Sequence, residues 1–169
     1  MGYIHDSSMK YFVPPSLAGG YGGTWTHAND GTFWTLSRAA LGGSFDLGIP
    51  IAVPHQNANE NRGSRIASVD VYFKISDADL TSLAVEFNLQ ALPTSGEFND
   101  PSNPAFTYDT DHDAAGERVT QGSHVMTLTL TTAIWVQGTQ CLRADLIAVA
   151  PAATLFEFFG ARINYTLRI

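Results

Sequence analysis

The stretch Leu155-Phe-Glu-Phe-Phe-Gly-Ala-Arg-Ile-Asn-Tyr-Thr-Leu-Arg-Ile169 decides the fold. From Phe159 onward apolar and polar residues alternate. Phe159, Ala161, Ile163, Tyr165, Leu167 and Ile169 fall on one face, and Arg162, Asn164, Thr166 and Arg168 on the other. Successive side chains of a strand point to opposite faces, so a period of two predicts a strand with one face in a core and one in water. The pattern runs to the last residue, which predicts a C-terminus held in a sheet rather than frayed.

The same alternation returns throughout the chain. Ser44–Val53 sets Phe45, Leu47, Ile49, Ile51 and Val53 in one phase, with Pro50 in the other; a proline there predicts an edge or a bulge. Arg65–Ile75, Leu83–Ala91, His124–Thr131 and Gln140–Ala148 alternate likewise. Thr24–Thr26, Phe33–Leu36 and Thr107–Asp109 read as short strands, the first two split by the turn signal Asn29-Asp30-Gly31. Ser76–Leu80 reads as a short helical turn capped by Ser76 or Asp77. No window holds a 3.6-residue period, and no strand–helix–strand alternation is present. Seven or eight strands joined by long, turn-rich links predict an all-β fold, an antiparallel β-sandwich of Greek-key or jelly-roll type. A Cys…Trp…Cys pattern is missing, which argues against an immunoglobulin domain.

Residues 1–23 read as an extended N-terminal arm and residues 24–169 as the sandwich domain. Pro14-Pro15 forbids a helix, and Gly19-Gly-Tyr-Gly-Gly23 reads as a flexible hinge. The arm is apolar for a tail: Tyr11, Phe12, Val13, Pro14, Pro15 and Leu17 form a candidate attachment segment. Two readings stand side by side, an arm folded back on its own domain and an arm docked on a partner subunit or a larger assembly.

The chain's 169 residues fit one domain, large enough to bury a core without disulfides or metal. Charged residues make up 15%, well below the usual share of about 25%, and this suits β-structure packed against copies of itself. The net charge is −7, and the 9 basic residues are scattered singly. Binding to a phosphate backbone or an anionic membrane needs a basic cluster, so neither nucleic acid nor membrane is an expected partner. The single cysteine, Cys141, excludes an internal disulfide and reads as a small buried apolar residue rather than a nucleophile. No apolar run approaches the roughly 20 residues of a membrane helix. The first twenty residues lack the apolar core of a secretory signal, which predicts synthesis in a cytoplasm.

Motifs for chemistry are few. There is no G-x-S-x-G elbow, phosphate loop, dinucleotide fingerprint or H-E-x-x-H pair, so the chain reads as no enzyme and no cofactor is expected. Asp70, Glu86 and Glu157 read as surface carboxylates, not as a pair across a cleft. The sharpest polar cluster is Tyr108-Asp-Thr-Asp-His-Asp-Ala-Ala-Gly-Glu-Arg118. Asp109, Asp111 and Asp113 stand two apart and could gather oxygens around Ca²⁺, although the EF-hand positions for glycine and the last glutamate hold Ala114 and Thr120. A solvated acidic loop is the alternative. A transition-metal site at His112 would need a second ligand such as His124. Trp25, Trp34 and Trp135 are candidate stacking rings for a glycan, or else parts of the core.

Arg65–Ile75 (RIASVDVYFKI), Tyr108–Arg118, Met126–Thr132 (MTLTLTT) and the ending Phe156–Ile169 give the chain a character that resembles the small β-sandwich structural proteins of tailed bacteriophages. These include capsid decoration proteins, head fibres and tail-fibre knobs. The resemblance covers residues 24–169, is one of style, and transfers no catalytic residue. It implies a non-enzymatic virion component, assembled in a host cytoplasm, often a homotrimer, attached to other virion proteins by an N-terminal segment. The alternative class is a carbohydrate-binding or receptor-binding module that holds surface glycans.

Overall fold

The computed structural model describes residues 5–29, 31–53, 63–91, 101–136 and 138–168. Its strands, in chain order, are β1 (Asp6–Val13), β2 (Gly19–Tyr21), β3 (Trp25–Asn29), β4 (Trp34–Arg38), β5 (Gly43–Ile51), β6 (Gly63–Ser76), β7 (Ser82–Ala91), β8 (Phe106–Tyr108), β9 (Gly122–Trp135), β10 (Gln140–Ala150) and β11 (Leu155–Arg168). Two single 3-10 turns, Pro15–Leu17 and Glu117–Val119, interrupt them. The strands form two antiparallel sheets: a seven-stranded sheet in the order β3-β4-β11-β6-β9-β8, with β1 also on β11, and a four-stranded sheet in the order β2-β5-β10-β7. The β-sandwich expected from the alternation is the observed architecture. The chain changes sheet at β1–β2, β2–β3, β4–β5, β5–β6, β6–β7, β7–β8, β9–β10 and β10–β11, and stays within the larger sheet at β3–β4 and β8–β9.

The closing strand is the spine of the larger sheet. One side of β11 pairs with β6 from Leu155↔Ser76 to Arg168↔Gly63. Its other side is shared end to end, with β4 along Phe156–Phe158 and β1 along Ala161–Arg168. Facing residues of the two sheets fill the core, among them Phe45, Leu47 and Ile49 from β5, Val71 and Phe73 from β6, and Phe156 and Phe158 from β11. Pro50 lies past the end of β2, where β5 has a neighbour on one side only, so its missing N–H costs no ladder bond.

Several expectations need correction. The boundary at residue 23 is not a break in the sheets, because β1 pairs with β11 over eight residues and β2 pairs with β5. The arm is a strand of its own sandwich: main-chain groups of Asp6–Val13 satisfy the free edge of β11. The glycine hinge is a fixed turn. Gly22 and Gly23 have φ +76 and +96, and a side chain at Gly20 would collide with the Trp25 indole. Ser76–Leu80 is a bend, not a helical turn, with Asp77 at φ 70. Cys141 is exposed on β10 rather than buried. Asp30, residues 54–62 and 92–100, and Ile169 lie outside the described residues.

The alternation in β11 also has a break. Phe158 pairs with Phe73, and then Gly160, not Phe159, pairs with Tyr72. Two residues of β11 thus oppose one of β6, a β-bulge at a glycine with φ +129. The extra residue moves Phe159 out of the phase of Ala161, Ile163 and Tyr165 and onto the outer face of the sheet.

Candidate functional site

The outer face of the seven-stranded sheet carries the most distinctive surface among the described residues. Pairing sets its rows. Phe12 on β1, Arg162 on β11, Asp70 on β6 and Thr127 on β9 lie side by side. The neighbouring row runs Gly160, Tyr72, Val125. Phe12 lies over Gly160, which has no side chain to exclude it. Phe159, displaced outward by the bulge, meets Phe33 edge to face with ring centres 6.3 Å apart. The β3–β4 hairpin presents Phe33 and Trp34 at its end.

These rings line two hollows that share Phe12, Phe33 and Phe159 and so form one trough. The first, about 450 Å³, lies between the hairpin and the Pro14–Ser16 link and includes Trp34 and His27. The second, about 700 Å³, extends across β11, β6 and β9 past Tyr72, Arg162 and Val125. Exposure is high for such large apolar groups: 64% for Trp34, 58% for Phe33 and 53% for Phe12. A contiguous apolar patch of this kind marks a place where something binds.

A polar hub sits beside the rings. Asp70 is 4% exposed although it stands on the outer face, because its neighbours cover it. Thr127 Oγ1 donates to its Oδ1 at 2.9 Å. Arg162 Nε and Asn164 Nδ2 donate to Oδ2 at 2.8 and 3.1 Å, and Arg162 Nη2 lies 2.8 Å from the same oxygen. The Asp70 hydrogen bond and charge raise the Arg162 guanidinium above its ordinary pKa. Arg162 also lies over the Tyr72 ring at 6.0 Å. A surface of aromatic faces flanked by fixed donors can hold a ligand that is apolar on one side and hydroxylated at its edges.

The residues singled out from the sequence fare differently. Trp34 is in the trough. Trp25 is not: it packs edge-on against Phe45 at 5.6 Å and Phe156 at 6.3 Å, closing one end of the core. Trp135 lies under the Arg168 guanidinium at 5.2 Å, at the C-terminal end of β9 away from the trough. Of the attachment segment, Val13 and Pro15 are buried and Pro14 is half-buried, whereas Tyr11, Phe12 and Leu17 are exposed. Phe12 is a wall of the trough.

The three aspartates do not act together. The backbone N–H groups of Thr127 and Asp111 donate to the two Asp109 carboxylate oxygens, and His112 Nδ1 lies 2.7 Å from Oδ1. Burial would push the Asp109 carboxyl up, but the Thr127 N–H, the His112 ring and the Asp111 N–H outweigh it and hold it below its ordinary value. Asp111 and Asp113 are exposed. Among the described residues no three His, Cys, Asp or Glu side chains are grouped to hold a metal ion. Asp109 organises its loop instead. His112 and His124 do come together, Nε2 to Nδ1 at 3.1 Å, and His124 Nε2 donates to the Thr120 carbonyl at 2.9 Å. Both nitrogens of each ring are thereby engaged.

Asp70 reads from the sequence as a surface carboxylate and Phe159 as a core residue, and the structure corrects both; Tyr72 and Arg162 carry no role in that reading. One signal for them was available: a glycine inside an otherwise regular strand, which marks a bulge or a close approach.

No family model matches the sequence, and no curated protein is similar to it. The fold is similar to solved structures at low identity. A family two carbohydrate esterase from Cellvibrio japonicus matches with a TM-score of 0.43 and 11% identity over 98% of this chain and 36% of that one. A structure of carbohydrate-binding modules from the β-sandwich superfamily matches at 0.42 and 12%, over 96% of this chain and 56% of that one. TmCBM61, solved with β-1,4-galactotriose, matches at 0.38 and 10%, over 98% of this chain and 88% of that one. The chain thus spans about a third and about half of the first two.

Proposed function

We propose that this chain is a non-catalytic carbohydrate-binding module that holds glycans in the aromatic trough. One observation carries the reading: Trp34, Phe33 and Phe12 stand more than half exposed around a hollow with Phe159 at its base and Arg162 beside it. Sugar rings present an apolar face and a hydroxylated rim, which suits stacking on such side chains with a donor alongside. Rings as exposed as these gain little from burial, and grouped in one patch they mark a binding surface.

The test is a titration with soluble glycans followed by calorimetry, repeated on Trp34→Ala. The substitution lowers affinity by about ten-fold or more, the scale of one well-placed aromatic anchor. The melting temperature stays unchanged because Trp34 is 64% exposed. Full binding by Trp34→Ala excludes the trough as the site.

The second reading is a virion component that assembles as a homotrimer in a phage particle. In its favour is the same apolar face, which a copy of the chain would cover. The two readings place opposite demands on the trough, open for a glycan or closed by a neighbour. Light scattering separates them, since a trimer has three times the 18.2 kDa mass of the chain.

A further inference from the structure

We infer that the trough selects neutral glycans over uronate-bearing ones, and that the buried Asp70 sets this preference by neutralising Arg162. The inference rests on the glycan-binding reading above and adds the class of ligand.

Arg162 is the cation that lines the trough among its rings. Left alone, a half-exposed guanidinium beside stacking rings would draw a carboxylate, because its fork matches that geometry. Here the fork is already occupied. Nε and Nη2 both face Asp70 at 2.8 Å. The Asp70 carboxylate is in turn surrounded by Thr127, Arg162 and Asn164 and is 4% exposed, so a ligand cannot reach it as an acceptor.

What remains for a ligand is a donor without net charge. A guanidinium has five N–H groups, and Nη1 takes no part in the pairing with Asp70. It can donate to a hydroxyl or ring oxygen of a stacked sugar. Glu157, balanced by Lys74 at 3.6 Å, stands on the same face, and the chain as a whole carries −7. The ion pair adds no net charge to the face, and the overall negative charge disfavours an anionic polymer. Asn164 and Thr127 act as positioning residues: they hold Asp70, and through it the angle of Arg162.

The deciding experiment compares neutral galactan, glucan and mannan with polygalacturonate and alginate, by calorimetry, on the wild type, Asp70→Asn and Arg162→Gln. The wild type prefers a neutral polymer to either polyuronate. Asp70→Asn keeps the side chain's shape and removes its charge, so Arg162 is unmasked and the preference narrows by about five-fold or more. Arg162→Gln leaves Asp70 uncompensated, so neutral binding weakens and polyuronate binding does not improve. A wild type that binds polyuronates as tightly as neutral polymers overturns the inference, as does an unchanged preference in a folded Asp70→Asn. Should Asp70→Asn not fold, a gain of polyuronate binding in Arg162→Gln overturns it. Binding of no polymer by any of the three proteins overturns the trough reading itself.

Discussion

At Gly160 a single residue decides which way an aromatic ring points. A strict period of two through β11 places Phe159 with Ala161 and Ile163 in the core, and that is how the sequence alone reads. The bulge turns Phe159 outward, and the missing side chain at Gly160 lets Phe12 lie across the strand. Gly160→Ala therefore meets two obstacles, a φ of +129 and a Cβ directed at the Phe12 ring and 2.8 Å from the Val13 carbonyl. It is expected to cost about 1–3 kcal/mol in urea denaturation and to weaken glycan binding by displacing Phe12. Unaltered stability would mean that the bulge is not as described. Arg38 shows what a sequence hides in the other direction. A lone basic residue just past the predicted strand Phe33–Leu36, it is 1% exposed, donates to the Gly22 and Leu41 carbonyls, and lies 4.6 Å from the centre of the Phe45 ring. Burial lowers its pKa, and the two carbonyls and the ring hold it where a carboxylate is usually expected. Nothing in its local pattern announces this, because its partners are 16 residues upstream and in the next loop.

Elements with one buried face were legible, and elements without one were not. β5, β6, β7, β9, β10 and β11 alternate, with breaks at the β6 and β11 irregularities, because each turns one side to the core. β1 does not alternate, since only Val13 of its eight residues is buried; its place is set by main-chain pairing, which leaves no mark in side-chain periodicity. The link between β8 and β9 exposes Asp111 and Asp113 and is anchored at Asp109. Asp109 ties it to β9 through the Thr127 N–H and to the His112 ring. The pH dependence follows in sign. Asp109 has a folded pKa below its unfolded one, so its contribution is complete above the ordinary carboxylate range and is lost as pH falls through the lower folded value. Hydrogen exchange at the Thr127 amide is expected to stay slow down to that point and then to accelerate. In Asp109→Asn this acid step is absent. An acid step retained in the variant would assign it to another carboxylate.

On the scale of the whole molecule the two outer faces differ in kind. The four-stranded sheet shows a polar face, where Asn88 donates to Asp145 at 2.7 Å and Arg143 pairs with the same carboxylate. The seven-stranded sheet shows rings around a compensated cation. Such asymmetry is what a one-sided binding module needs, and the sandwich core beneath keeps the rings at fixed spacing. The sandwich class was open to sequence reading because alternation is local. The trough was not, because it is assembled from β1, the β3–β4 hairpin, β6, β9 and β11, which only the pairing order brings together. Its location is best tested by recording amide spectra of ¹⁵N-labelled protein while adding the tightest-binding polymer of the neutral set. Shifts concentrated at Phe12, Phe33, Trp34, Tyr72, Phe159 and Arg162 are expected. Shifts at Asn88, Arg143 and Asp145 instead, or none with any glycan, would contradict that location.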